Sequence, residues 1–164
     1  MRSCRDVPSA SGLSGNADAD KMSAVAVKPC SLVMSQALHH QLTTEARAAY
    51  PNECCGLIEG VRHDNRIEAI ALHPTRNLAT ASDRFEIDPA EHIRLQRLLR
   101  GTQRKIIGCY HSHPDGEPRP SERDRERAQD EDFVWLIAGA DAPGTVMPAA
   151  FLFRNGRFHP LPLA

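Results

Sequence analysis

The chain has 164 residues, 41% hydrophobic and 25% charged, with 20 Lys and Arg against 21 Asp and Glu for a formal charge of −1. That length and composition suit one globular domain with a real core, and the even charge excludes the basic footprint of a nucleic-acid or polyanion binder. Five cysteines, two of them adjacent and none in a CxxC, exclude a disulfide framework or a four-cysteine zinc site and point to a reducing cytoplasm.

Residues 1–29 are rich in Ser, Ala, Gly and Asp. They carry too little large apolar surface to offset the entropy of ordering, so a disordered tail is expected, with Met22 and Met34 as alternative starts. The tail lacks the apolar core of a signal peptide, and no apolar run approaches the roughly 20 residues that span a bilayer. One domain is therefore expected over residues 30–164.

That domain opens with a short apolar strand, CSLVMS. A helix follows in SQALHHQLTTEARAAYP: Leu38, Leu42, Ala46 and Ala49 recur at helical spacing, Ser35 can cap the start and Pro51 stops it. CCGLIEG and RIEAIALHP read as a hairpin turning at His63-Asp64-Asn65. After the loop TRNLATASD, RFEID reads as another short strand. DPAEHIRLQRLLRG is a helix capped by Asp88, with Pro89 in its first turn and Gly101 at its end. KIIGCYHSH is a strand on its β-branched and aromatic content. SERDRERAQ starts a third helix, FVWLIAG is a buried strand, and AAFLFRNGRFHPLPL is a hairpin turning at Asn155-Gly156. The order implies an α/β domain, a mixed β-sheet flanked by helices.

The stretch HSHPDGEPRPSERD carries the chemistry. His111 and His113 stand at i and i+2 on a strand end, so their imidazoles share one face. Asp124 lies on the first turn of the next helix, from which it can point back across the loop. Two His, one carboxylate and an open fourth position suit a catalytic zinc. The same residues also suit a plain helix cap, Ser121 with Asp124, beside two hydrogen-bonded histidines. Glu53, just before a strand, is the candidate general base for a hydrolase; in isolation it equally reads as a surface glutamate.

Together the two stretches resemble the JAMM (MPN-plus) zinc metalloprotease family, also called the JAB domain. Its pattern is a distant Glu, then His-Ser/Thr-His-Pro, then Ser-x-x-Asp. Glu53, His111-Ser112-His113-Pro114, Ser121 and Asp124 match that pattern in order and spacing. Pro51, Cys55-Gly56, Gly60, Gly108 and Tyr110 fit its setting, as RNLATASDRFEIDP fits the connecting segment of small prokaryotic members. The likeness covers about residues 30 to 162.

The resemblance implies the cytidine-deaminase-like JAB/MPN fold and one zinc (Zn2+) held by His111, His113 and Asp124. It also implies Glu53 as the catalytic base on water, and Ser121 as a donor to the water or the developing oxyanion. The expected substrate is a ubiquitin-like sulfur-carrier protein, cut at its C-terminal Gly-Gly end by a chain acting in sulfur or cysteine metabolism. No nucleic-acid or membrane partner is expected, and a monomer and a homodimer both stay open. The alternatives are an inactive MPN-type interaction scaffold, whose mark would be lost ligands, and a JAMM peptidase acting on other peptides, such as a phage-tail or cell-wall enzyme. Asp115, Glu117 and Arg119 read as solvated loop residues, and Cys54, Cys55 and Cys109 as small buried hydrophobes.

Overall fold

A computed structural model describes residues 30–141 and 144–164. The expected tail at residues 1–29 lies outside the described residues. In chain order the elements are β1 (Ser31–Val33), α1 (Gln36–Ala49), β2 (Cys55–Arg62), β3 (Arg66–Thr75), α2 (Pro89–Leu98), β4 (Lys105–His113), α3 (Glu122–Arg127), β5 (Phe133–Ala140), β6 (Val146–Arg154) and β7 (Arg157–Leu161).

The expected caps are in place. Ser35 accepts from the Leu38 N–H and Asp88 from the Ala90 N–H, with Pro89 taking the first position of α2, where its missing N–H costs nothing. Asn155 (φ 52°) and Gly156 (φ 70°) make the tight turn between β6 and β7.

The seven strands form one mixed sheet in the order β1-β3-β2-β4-β5-β6-β7. β1 pairs with β3 and β4 with β5 in parallel; the other neighbours are antiparallel. The chain after β7 returns to β1, where the Leu32 N–H donates to the Pro162 carbonyl (2.8 Å) and the Ala164 N–H to the Leu32 carbonyl (3.0 Å). That return covers an edge which would otherwise expose unpaired backbone groups.

One face of the sheet carries the main core. Leu42 and Ala46 of α1 pack with Leu32, Ile58, Ile67, Tyr110, Val134, Leu136 and Leu152. The other face holds two smaller clusters: Leu57, Leu95 and Leu99 under α2, and Cys55, Phe85, Cys109, Trp135 and Phe153 beside α3. The β2–β4 register slips between Ile58 and Glu59, and Ile107 consequently joins Tyr110 on the α1 side while Cys109, His111 and His113 face α3.

The expected strand RFEID is not one. Its sole ladder contact is an isolated bridge between Asn77 and Ile87. Beyond one backbone bond, from the Leu78 N–H to the Glu86 carbonyl (2.9 Å), the segment is held by a side chain: the Asn77 carboxamide accepts from the Glu86 N–H and donates to the Arg84 carbonyl, 2.9 Å in each case. Among the described residues, no helix is long and apolar enough to cross a membrane.

Candidate metal centre

β4 runs in the middle of the sheet, so His111 arrives on a backbone braced from two sides and His113 on one braced by β5. His111 pairs with Cys55 on β2 and Ile137 on β5, and His113 with Gly139 on β5. The loop after Pro114 then turns back across Gly139, with Gly116 in the left-handed region at φ 81°. It closes so tightly that a Cβ on Gly139 would sit 2.3 Å from the Gly116 carbonyl oxygen.

Ser121 starts α3 with a full capping box. Its hydroxyl and its N–H both donate to Asp124 Oδ2 (2.7 Å each), and the Asp124 N–H donates to Ser121 Oγ (3.2 Å). The cap therefore also aims the carboxylate. Asp124 Oδ1 lies 3.3 Å from His111 Nε2 and Oδ2 lies 3.4 Å from His113 Nε2, while the two Nε2 atoms are 2.9 Å apart. The ligand atoms of His111, His113 and Asp124 all fall within 4.8 Å of one another, and all three residues are buried.

The donor set fits a divalent cation. His113 Nδ1 faces the Glu117 carbonyl oxygen at 2.9 Å, and a carbonyl can only accept, so Nδ1 carries a hydrogen and Nε2, whose own proton a bound cation would displace, is the nitrogen turned to the group's centre. Two imidazole nitrogens and one carboxylate converging from buried positions would suit a divalent cation such as zinc.

The electrostatics agree. Burial works against the charge on Asp124, yet hydrogen bonds from His111 and His113 hold its carboxyl well below the usual range. Burial depresses His111; in His113 burial is outweighed by Asp124, which raises it.

Glu53 sits just before β2 with only 7% of its surface exposed. Burial pushes its carboxyl up to about 7, with His113 opposing and Asp124 adding to the rise. It shares with Ser121, Asp124, Phe85, Asp83 and Arg127 a narrow cavity of about 20 Å³, room for roughly one water.

The remaining candidates fall outside. Asp115, Glu117 and Arg119 lie on the exposed side of the loop or pair with each other, and only the Glu117 carbonyl reaches the site. Cys54 packs with the α1-side core and Cys55 with the opposite cluster. Burial pushes the Cys54 thiol up to about 12 and raises Cys109 as well, which disfavours thiolates. His73 is hydrogen-bonded to Glu59 (2.8 Å) and His63 to Glu68 (3.3 Å). Sequence reasoning missed four groups: Asn77, Phe85, the Ser112 hydroxyl and the Glu117 carbonyl. Only Phe85 left a signal, as the aromatic in a run misread as a strand.

Known proteins resemble this chain in sequence and in fold. The family described as prokaryotic homologs of the JAB domain matches residues 35–153. The desampylase of Haloferax volcanii is 37% identical over 93 residues, which are 56% of this chain and 65% of that protein. The CysO-cysteine peptidase of Mycobacterium tuberculosis is 25% identical over 112 residues, 68% of this chain and 75% of that protein. The chain thus spans just under two thirds of the Haloferax protein. The solution structure of protein DSY2949 from Desulfitobacterium hafniense superposes with a TM-score of 0.72 at 28% identity, covering 81% of this chain and 91% of that one. With the family model matching well over half of its length and the fold in agreement, the chain belongs to the prokaryotic JAB-domain family.

Proposed function

We propose that residues 30–164 form a zinc metallopeptidase that hydrolyses the peptide or isopeptide bond at the C-terminal Gly-Gly end of a ubiquitin-like sulfur-carrier protein, releasing cysteine from a carrier–cysteine adduct. The observation that carries this reading is the convergence of His111, His113 and Asp124 beside a buried Glu53 whose carboxyl is raised to about 7. His111, His113 and Asp124 would hold zinc, which when bound supplies Lewis acidity toward water and the scissile carbonyl.

Glu53 acts as general base and then general acid. Its carboxylate takes a proton from the attacking water as the new C–O bond forms. It returns that proton to the leaving nitrogen as the C–N bond breaks, giving a carboxylate and a free amine. Ser121 lines the same cavity, and its hydroxyl now donates to Asp124. Rotation about Cβ–Oγ would turn that donor toward the developing oxyanion, a kind of contact worth about 2.7–4 kcal/mol.

The names of the Haloferax and Mycobacterium relatives support the substrate class. The free thiols of Cys30, Cys54, Cys55 and Cys109 support action in a reducing cytoplasm.

The test is to incubate purified, zinc-loaded protein with a carrier–cysteine adduct and with unrelated peptides. The adduct is expected to be cut and the peptides spared, with Glu53→Gln binding zinc but not turning over. Full turnover by Glu53→Gln would remove the mechanism. An intact adduct beside cleaved peptides would remove the substrate.

A further inference from the structure

The two histidines of the centre are held by different means. His113 has its outer nitrogen fixed by the Glu117 carbonyl, the usual way a ligating imidazole is oriented. His111 is fully buried, yet its Nδ1 finds no hydrogen-bond partner among the described residues. Its orientation has to come from elsewhere. Phe85 lies flat against it, ring centroids 4.2 Å apart and planes at 20°, and Trp135 meets it edge-on at 5.9 Å and 90°.

Phe85 belongs to no strand or helix, so its own position needs an explanation. Asn77 supplies it. Its carboxamide makes four hydrogen bonds: Nδ2 donates to the Arg84 carbonyl (2.9 Å) and to the Glu53 carbonyl (3.0 Å), and Oδ1 accepts from Ala79 and Glu86 N–H (2.9 Å each). These use both of its donors and both of its lone pairs. One side chain thus ties the segment carrying Phe85 to the residue proposed as base. From the far side, Arg127 of α3 donates to the Phe85 carbonyl and stands over the Phe85 ring, 5.8 Å from its centroid.

We infer that Asn77 is a positioning residue: it fastens segment 84–86 to the Glu53 backbone, so that Phe85 clamps the His111 ring by stacking on the side where no hydrogen bond reaches Nδ1. The inference rests on the metal reading for its consequence, but the clamp itself is testable in metal-free protein. Asn77→Asp keeps the shape and the acceptors and removes both donors. Phe85→Leu keeps an apolar side chain and removes the stack.

Two measurements separate the outcomes. In metal-free protein, NMR reads the His111 ring protons, which the stacked Phe85 shields. Asn77→Asp and Phe85→Leu should both move them downfield, whereas Leu95→Ala, a core truncation under α2, should lower Tm and leave them in place. In Co2+-loaded protein, both variants should weaken metal about 10- to 100-fold in chelator competition, as loss of an outer partner does, and alter the visible d–d bands. Unmoved His111 protons in a folded Asn77→Asp would overturn the inference. If that variant does not fold, unchanged Co2+ affinity and spectrum in Phe85→Leu would overturn it instead. Failure of the unmodified chain to bind Co2+ would sink the metal reading while the NMR shifts still decide the clamp.

Discussion

Ser112 and Cys54 exchange two hydrogen bonds across the end of the β2–β4 ladder: the Cys54 N–H donates to Ser112 Oγ at 2.9 Å, and the Ser112 N–H donates to the Cys54 carbonyl at 3.1 Å. The residue between the two histidines therefore faces away from them and holds the neighbour of Glu53. Ser112→Ala leaves a part-buried N–H without its partner, a loss of about 1–3 kcal/mol, and loosens Glu53 against the centre. With Glu53 as the proposed base, its misplacement should lower kcat by about 10- to 100-fold. Ser112→Thr retains the hydroxyl and should retain most of the rate. Equal kcat in Ser112→Ala and the unmodified chain would show that the pair does not position Glu53.

Glu53 makes a prediction about stability as well as rate. Its folded pKa, about 7, lies above its ordinary value of 4.5. The folded state thus binds the proton more tightly than the unfolded chain. Stability from this group is present below pH 4.5 and is lost as pH rises from there through about 7. Glu53→Gln mimics the protonated form and escapes that loss. In metal-free protein its Tm should exceed that of the unmodified chain at pH 8, and the two should converge near pH 4. A Tm gap that does not change with pH would mean that the carboxyl is not titrating in a buried site.

Much of this site could be read from residue order because the chemistry is local. His111 and His113 share a strand face by alternation, and Ser121 and Asp124 share a helix start by capping. Each arrangement is dictated within four residues. Glu53 can be named as a candidate base from its place before a strand, but only the resemblance ties it to the histidines, since nothing in the 57 residues between Glu53 and His111 shows that β2 and β4 pair as Cys55 with His111. The segment 84–88 departs from its expected strand for a related reason. Alternating Phe85 and Ile87 suggest a strand, but its backbone pairing stops at one isolated bridge, and the Asn77 carboxamide takes the place of the next ladder bonds. A side chain that imitates a ladder leaves no periodicity to read.

Gly139 offers a test of the loop that steadies His113. Its backbone is ordinary, but a methyl group there would meet the Gly116 carbonyl oxygen at 2.3 Å and Pro118 N at 2.9 Å. Both contacts are backbone, so the loop itself must move, and with it the Glu117 carbonyl that holds His113 Nδ1. Gly139→Ala should weaken zinc about 10- to 100-fold, the range for loss of an outer partner. Chelator competition measures this directly. Unchanged affinity would show that the loop does not set the His113 ring.

Asp124 serves the centre and the start of α3 at once, and pH can separate these roles from simple packing. Burial alone would raise its pKa, but the hydrogen bonds from His111 and His113 hold it well below the ordinary carboxylate value. A group depressed in the folded state stabilises above its unfolded pKa, about 3.9, and that contribution fades as pH falls through the lower folded value. Asp124→Asn removes the charge and keeps the volume. Its Tm deficit in metal-free protein should be full at pH 7 and should shrink steadily below about pH 4. With Asp124 as one of the proposed ligands, zinc affinity should fall by more than the ~10–100-fold of an outer partner. In the unmodified chain, excess zinc should raise Tm by mass action and a chelator should reverse the rise; in Asp124→Asn neither should have an effect. A deficit that persists unchanged at pH 3, with zinc still raising Tm, would place Asp124 in the helix cap alone.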